Sequence, residues 1–113
     1  RFQIERKPAR RVITVTEIVG LDPRNKEIIT NEVFRYRFED DSHAFLGRSY
    51  HLERIAEGLG KSLKDVMNEV DKRRIILEWM TRNNMRSFRE VSEVIRKFYR
   101  NPEEIFKIAR VGA

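Results

Sequence analysis

Apolar residues change their period once along this chain, near residue 49. Before that point they alternate with polar residues or run continuously, and after it they recur every three or four positions. The first habit belongs to strands and the second to helices. Segment 10–20, RRVITVTEIVG, is dense in β-branched residues, and segment 27–38, EIITNEVFRYRF, sets Phe34, Tyr36 and Phe38 on one face against Arg35 and Arg37 on the other. Between them, LDPRNK offers the proline, aspartate and asparagine that suit a turn. The pattern predicts a β-hairpin. Residues 1–9 can add a short strand before Pro8, and HAFLG (43–47) another after the acidic turn Glu39-Asp40-Asp41.

The first strand carries apolar residues on both faces, Val12 and Ile18 on one and Ile13, Val15 and Val19 on the other. A strand needs this only when it is covered from both sides. Two strands alone do not supply that cover, so the pattern implies further sheet, upstream or from another chain. The start at Arg1 without a methionine fits an excised piece of a longer protein.

Four helices are predicted after the change of period. The first covers about 49–59. The second covers about 63–81, opens at Ser62, and carries Leu63, Val66, Met67, Val70, Leu77 and Met80; Trp79, Ile75 and Ile76 widen its apolar surface enough to predict burial on two sides. The third opens at Ser87, with Glu90 three residues on as a capping box, and presents Phe88, Val91, Ile95 and Phe98 as one stripe. The fourth starts at Asn101 with Pro102 at its first position and buries Ile105 with either Ile108 or Ala109. The fold class is therefore α+β: an N-terminal antiparallel hairpin or small sheet over 1–46, then a C-terminal helical subdomain over 47–113, read as a four-helix bundle.

Gly60-Lys61-Ser62 matches the end of the phosphate-loop pattern G-x-x-x-x-G-K-[ST], yet the first glycine of that pattern would fall on Ile55. The loop must also follow a buried strand, whereas SYHLERIAE before it has helical spacing. A helix corner accounts for each residue: Gly60 ends one helix in the left-handed conformation, Ser62 caps the next, and Asp65 completes a capping-box pattern.

The chain has 113 residues, no cysteine and charged residues at 37%. Disulfides and thiolate metal sites are thereby excluded. Apolar runs fall far short of the ~20 residues that span a bilayer, which suggests a soluble cytoplasmic domain. The abundance of charge suits a thermophile protein with surface ion pairs. A net charge of +6 would attract an anionic partner, but 24 basic residues are interleaved with 18 acidic ones. Arg73-Arg74 have Glu69 and Glu78 at helical spacing as partners, and His43 and His51 read as surface histidines because nothing in the spacing demands a metal. No nucleophile elbow or paired carboxylates can be traced.

Three stretches, R-R-V-x-x-V-T-E-I-V-G (Arg10 to Gly20), G-R-S-Y-x-L-E-x-I-A (Gly47 to Ala56) and F-Y-R-N-P-E-E (Phe98 to Glu104), lie in an order and spacing that resemble the C-terminal end of the archaeal type II/IV secretion-system ATPases, the GspE-like motors of pili, archaella and secretion. Similarity covers about 10–107. The resemblance implies the last strands of a RecA-like motor domain followed by a helical subdomain, in a parent that forms hexameric rings at the cytoplasmic face of the membrane, uses ATP and Mg, and drives a membrane platform protein. The phosphate loop, the Walker B strand, the Asp box and the His box of that family lie upstream and have no counterpart here, so this chain alone is expected to hold no cofactor and to be inactive. Its expected partners are the rest of the ATPase, neighbouring subunits and the platform protein. Arg10, Arg11 and Arg48 are the candidates for contacts to a neighbouring subunit or to phosphate.

A stand-alone basic nucleic-acid binder is the alternative, with the helices over 49–81 as a helix-turn-helix. The second helix of that pair begins LKDVMNEVDK, setting Asp65, Asn68, Glu69 and Asp71 where phosphates would be repelled. No nucleic-acid partner is therefore expected.

Overall fold

The computed structural model describes residues 9–112, so the strand predicted within residues 1–9 lies almost wholly outside the described residues. Strands β1 (Thr14–Leu21), β2 (Ile28–Arg37) and β3 (Ser42–Phe45) form an antiparallel sheet in the order β1-β2-β3. Helices α1 (Tyr50–Leu59), α2 (Leu63–Arg82), α3 (Phe88–Arg100) and α4 (Pro102–Val111) follow. The α+β class and the order of its elements are those the pattern predicts. Packing divides the chain into Arg1–Ile55 and Ala56–Ala113. This division falls inside α1, later than the domain boundary at 46/47 read from the sequence, because Glu17 of β1 holds the first turn of that helix and Asn31 of β2 the residue Arg48 before it.

The β1–β2 hairpin turns through residues 22–27. Asp22 Oδ1 accepts from the Arg24 amide and Asn25 Oδ1 from the Glu27 amide, at 2.8 and 3.0 Å. Lys26 takes φ 63° to close the loop, which is the polar turn chemistry the sequence offers. Two irregularities interrupt the ladder. Val33 is extra on β2 between the pairs Val15–Phe34 and Thr16–Glu32, and Val19 is extra on β1 between Ile18–Thr30 and Gly20–Ile29. Between them, directly opposed residues share a face. Thr14, Thr16 and Ile18 lie with Arg35, Glu32 and Thr30, while Val15 and Glu17 lie with Phe34 and Asn31. Phe45 of β3 joins the second face, its ring 5.4 Å from that of Phe34.

Four helix ends are built as local caps. The Lys61 amide donates to Ala56 O at 2.9 Å and the Gly60 amide to Glu57 O at 3.2 Å, with Gly60 at φ 65°. This is a Schellman end. Asn84 repeats it at the end of α2 with φ 54°, the Met85 amide reaching Met80 O at 3.0 Å. Ser87 Oγ accepts from the Glu90 amide and the Glu90 carboxylate accepts from the Ser87 amide, so the predicted capping box is complete. At Ser62 only half of it forms: Ser62 Oγ accepts from the Asp65 amide at 3.1 Å, and no return bond is made among the described residues. The aspartate arm is one carbon shorter than the glutamate the motif uses.

In the helical unit α4 packs against both α2 and α3. Ile76 and Met80 of α2, Val94 of α3, and Ile105 and Ala109 of α4 are its buried centre, flanked by Trp79, Met85, Val91, Phe98 and Phe106. Of the two residues the sequence leaves open on α4, Ala109 is fully buried and Ile108 is not. Two predicted surfaces are corrected. On α3 the seam that packs is Val91-Val94-Phe98, and Phe88 and Ile95 lie on a separate exposed stripe. On α2 Leu77 is 60% exposed, so burial is one-sided at that turn.

Candidate functional site

Two constellations in the sheet unit hold the charged residues that the sequence singles out. The first is a shallow groove lined by Ala9, Arg10, Arg11, Ile13, Tyr36 and Asp41, with Phe38 beside Tyr36. The Tyr36 amide donates to Ile13 O at 2.8 Å, which continues the ladder beyond β1. Arg11 grips Asp41 through two bonds, Nε–Oδ1 at 2.7 Å and Nη2–Oδ2 at 3.1 Å, and the Tyr36 hydroxyl donates to the same carboxylate at 2.8 Å. Those bonds from Arg11 and then Tyr36 hold the Asp41 pKa down to about 2. Asp41 itself sits at φ 54° in the acidic turn, a conformation that aspartate tolerates better than most residues.

The second constellation surrounds the start of α1. Glu17 projects from the same face as Val15 and Phe34, where alternation would place an apolar residue. Its Oε1 accepts from the Tyr50 amide at 2.6 Å and from Asn31 Nδ2 at 2.9 Å. Its Oε2 accepts from Ser49 Oγ at 3.0 Å and from the His51 amide at 3.3 Å. Ser49, which is buried, also accepts from the Leu52 amide at 3.2 Å. Asn31 spends its second amide hydrogen on Arg48 O at 2.9 Å. Partial burial pushes the Glu17 carboxyl up, but the bonds from Asn31, Tyr50, His51 and Ser49 together outweigh it and hold the pKa down to about 2. The helix N-terminus, whose first amides lack partners within the helix, is where a carboxylate is most favoured. Glu17 is therefore a cap donated by a strand and ionised at neutral pH.

The three candidate arginines divide between these places. Arg10 and Arg11 line the groove, and Arg48 stands at the α1 constellation. Arg48 is itself engaged, with two bonds to Glu53 at 2.9 and 3.0 Å and its guanidinium 4.0 Å from the centre of the Tyr50 ring. Arg11 and Arg48 are thus neutralised by carboxylates of their own unit, while Arg10 has no ion pair among the described residues. Sequence reasoning passes over Glu17. The available signal is an acid on the apolar face of a β-branched strand, but its partners at 49–51 are more than thirty residues away. Arg73 and Arg74 pair with Glu69 and Glu78 as their spacing suggests, and Arg74 also reaches Asp71. His43 Nε2 lies 2.8 Å from Val12 O, and among the described residues no three His, Cys, Asp or Glu side chains converge on a metal position.

The Gly60-Lys61-Ser62 stretch is built as a helix corner. Gly60 closes a helix, and Ser62 Oγ is occupied by the Asp65 amide at 3.1 Å. Among the described residues no helix is long and apolar enough to cross a membrane.

No family model matches this chain. It is similar to three proteins of Methanocaldococcus jannaschii. Uncharacterized protein MJ1287 is 48% identical over 64 residues, which is 57% of this chain and 24% of that protein. Uncharacterized protein MJ0900 is 35% identical over 97 residues, 82% of this chain and 18% of that protein. Uncharacterized protein MJ0781 is 24% identical over 104 residues, 92% of this chain and 14% of that protein. The chain thus spans about a quarter or less of the length of the curated relatives it matches.

Proposed function

We propose that this chain is the C-terminal, non-catalytic portion of an ATP-driven secretion or type IV pilus/archaellum assembly motor, and that it contributes contacts to the rest of the ATPase, to neighbouring subunits of a hexameric ring and to a membrane platform protein. The observation that carries the reading is the open apolar surface of β1 and of Ile13 just before it: Ile13 and Val15 on one side are 49% and 46% exposed, and Ile18 on the other is 63% exposed. Fully burying an exposed side chain of this kind is worth about 1.5–3 kcal/mol, so covering the remaining half of each is worth about 1 kcal/mol. A sheet that leaves several uncovered is a sheet with neighbours elsewhere. The much greater length of the relatives supports the same view, as does the meeting of two of the three family-like stretches at Glu17 and Ser49-Tyr50.

In this reading ATP and Mg are held upstream, in the parent protein, and this chain supplies no ligand to either. The parent works in the cytoplasm, peripheral to the membrane. Arg10 is the basic residue of the groove best placed to meet a neighbouring subunit, because Arg11 and Arg48 are already paired. A nucleic-acid function is less well supported, since Arg11, Arg35, Arg48, Arg73, Arg74 and Arg96 all pair with acids. Light scattering after size-exclusion chromatography tests the proposal on this chain and on the product of its full reading frame, with and without ATP and Mg. Rings that require the upstream region and nucleotide are the expected result. ATP hydrolysis by this chain alone, or a reading frame with no phosphate loop upstream, would overturn it.

A further inference from the structure

Helix α3 is apolar in two directions. Val91, Val94 and Phe98 face the core, and Phe88, Ile95 and Tyr99 form a second stripe that is 88%, 48% and 76% exposed. With Ser92 these residues fall at steps of four, three and four, the spacing of the apolar seam by which one helix lies along another. Both ends of the stripe are held by local contacts. Tyr99 makes an edge-to-face contact with Phe98, centroids 5.7 Å apart, and the Phe98 ring is covered in turn by the Arg73 guanidinium at 4.8 Å. The capping box at Ser87 and Glu90 fixes the end from which Phe88 projects.

Charge along the stripe is one-sided. Arg89 and Arg96 each follow a stripe residue directly, seven positions apart, and Arg100 follows Tyr99, so all three lie along the flank away from the core. Among the described residues their only acidic neighbour in hydrogen-bond contact is Glu93, which holds Arg96 at 2.9 Å with both groups exposed. An exposed pair of this kind is weak enough to be exchanged for another carboxylate. Segment 82–100 carries six basic residues against Glu90 and Glu93, an excess of four.

We infer that the Phe88-Ile95-Tyr99 stripe of α3 is a docking seam for an amphipathic helix of another protein, whose apolar edge lies on the stripe and whose flanking carboxylates face Arg89, Arg96 and Arg100. The stripe is narrow, bounded by the packed Val91-Val94-Phe98 seam on one side and by arginines on the other, which fits the edge of one helix better than a lipid surface, where a broad apolar face would be needed. The partner is acidic because Arg89, Arg96 and Arg100 outnumber Glu93 on that flank. This seam stands on α3 alone and does not depend on the motor reading.

The test uses this chain and two synthetic 21-residue helical peptides with leucine at the seam positions and either glutamate or lysine beside them, with anionic phosphatidylglycerol vesicles and duplex DNA as further arms. The glutamate peptide should bind, with amide shifts confined to α3, and the Phe88→Ser/Tyr99→Ser variant should lose roughly tenfold or more in affinity. The Arg89→Glu/Arg96→Glu variant should switch its preference to the lysine peptide. All of these side chains are exposed, and unchanged thermal unfolding of the variants confirms that the fold is kept. Equal binding of the two peptides, no switch on charge reversal, or stripe-dependent binding to vesicles or DNA in place of the glutamate peptide would each overturn the inference.

Discussion

The Glu17 carboxylate of β1 accepts the backbone N–H of Tyr50, the first residue of α1, at 2.6 Å, and the neighbouring Ser49 hydroxyl at 3.0 Å. A strand side chain thus performs the task that an N-cap residue performs within a helix. The covalent path between the two runs through two turns and two strands, yet the bond makes β1, β2 and the start of α1 one cooperative piece. Replacing Glu17 by Ala should lower the thermal midpoint of that piece by a few degrees and speed amide exchange at Tyr50 and His51. Glu17→Gln should lose less, because its remaining oxygen keeps one of the two amide bonds. Exchange rates measured by NMR distinguish these outcomes from a uniform loss of stability.

Acid should weaken the sheet unit in a defined window. Glu17 has an ordinary carboxyl pKa of 4.5 that is held down to about 2, and Asp41 falls from 3.8 to about 2. A depressed folded pKa adds stability above the unfolded value, and that stability is lost as pH falls toward the folded one. Unfolding monitored by circular dichroism should therefore be independent of these groups above about pH 5 and grow easier between there and pH 2. The Asp41→Asn and Glu17→Gln variants should each be less stable at neutral pH and show a flatter response to acid. A steeper acid response in either variant would contradict the assignment.

The correction on α3 makes a paired prediction. Val94→Ala should cost on the order of 1–3 kcal/mol, and Ile105→Ala, at the centre of the same cluster, about 2–5 kcal/mol. Phe88→Ala and Tyr99→Ala, on the exposed stripe, should change stability by less than about 0.5 kcal/mol each. Denaturant titration of the four variants reads the difference directly.

Capping gives a further comparison. Ser87→Ala removes a complete box and should cost about 1 kcal/mol, and Glu90→Ala made alone should cost less, because the bond from the residue-90 amide to Ser87 Oγ is kept. Ser62→Ala removes only the forward bond. Asp65→Ala should be close to neutral, because its carboxylate returns no bond to the Ser62 amide.

Local features were legible in proportion to how local they are. The turn at 22–27, the glycine end at Gly60 and the S-x-x-E box at Ser87 each follow from a few adjacent residues, and the structure builds them where the pattern sets them. The register was not legible, because extra residues at Val19 and Val33 are ordinary β-branched residues with no mark of a bulge. On α3, six apolar residues in a thirteen-residue helix, Phe88, Val91, Val94, Ile95, Phe98 and Tyr99, define two adjoining stripes, and periodicity alone does not say which one packs. Glu17 stayed hidden because its meaning lies in an unpaired helix end far along the chain. The candidate arginines were visible as charges but not as pairs: Asp41 lies thirty residues from Arg11.

The proposal that upstream polypeptide completes this sheet is tested most directly by hydrogen exchange at the β1 amides, Thr14–Leu21, in this chain and in the protein made from its full reading frame. The account predicts that amides directed away from β2 exchange rapidly in this chain and become strongly protected in the longer protein, together with quenching of solvent access at Ile13, Val15 and Ile18. Equal exchange in the two proteins would contradict it.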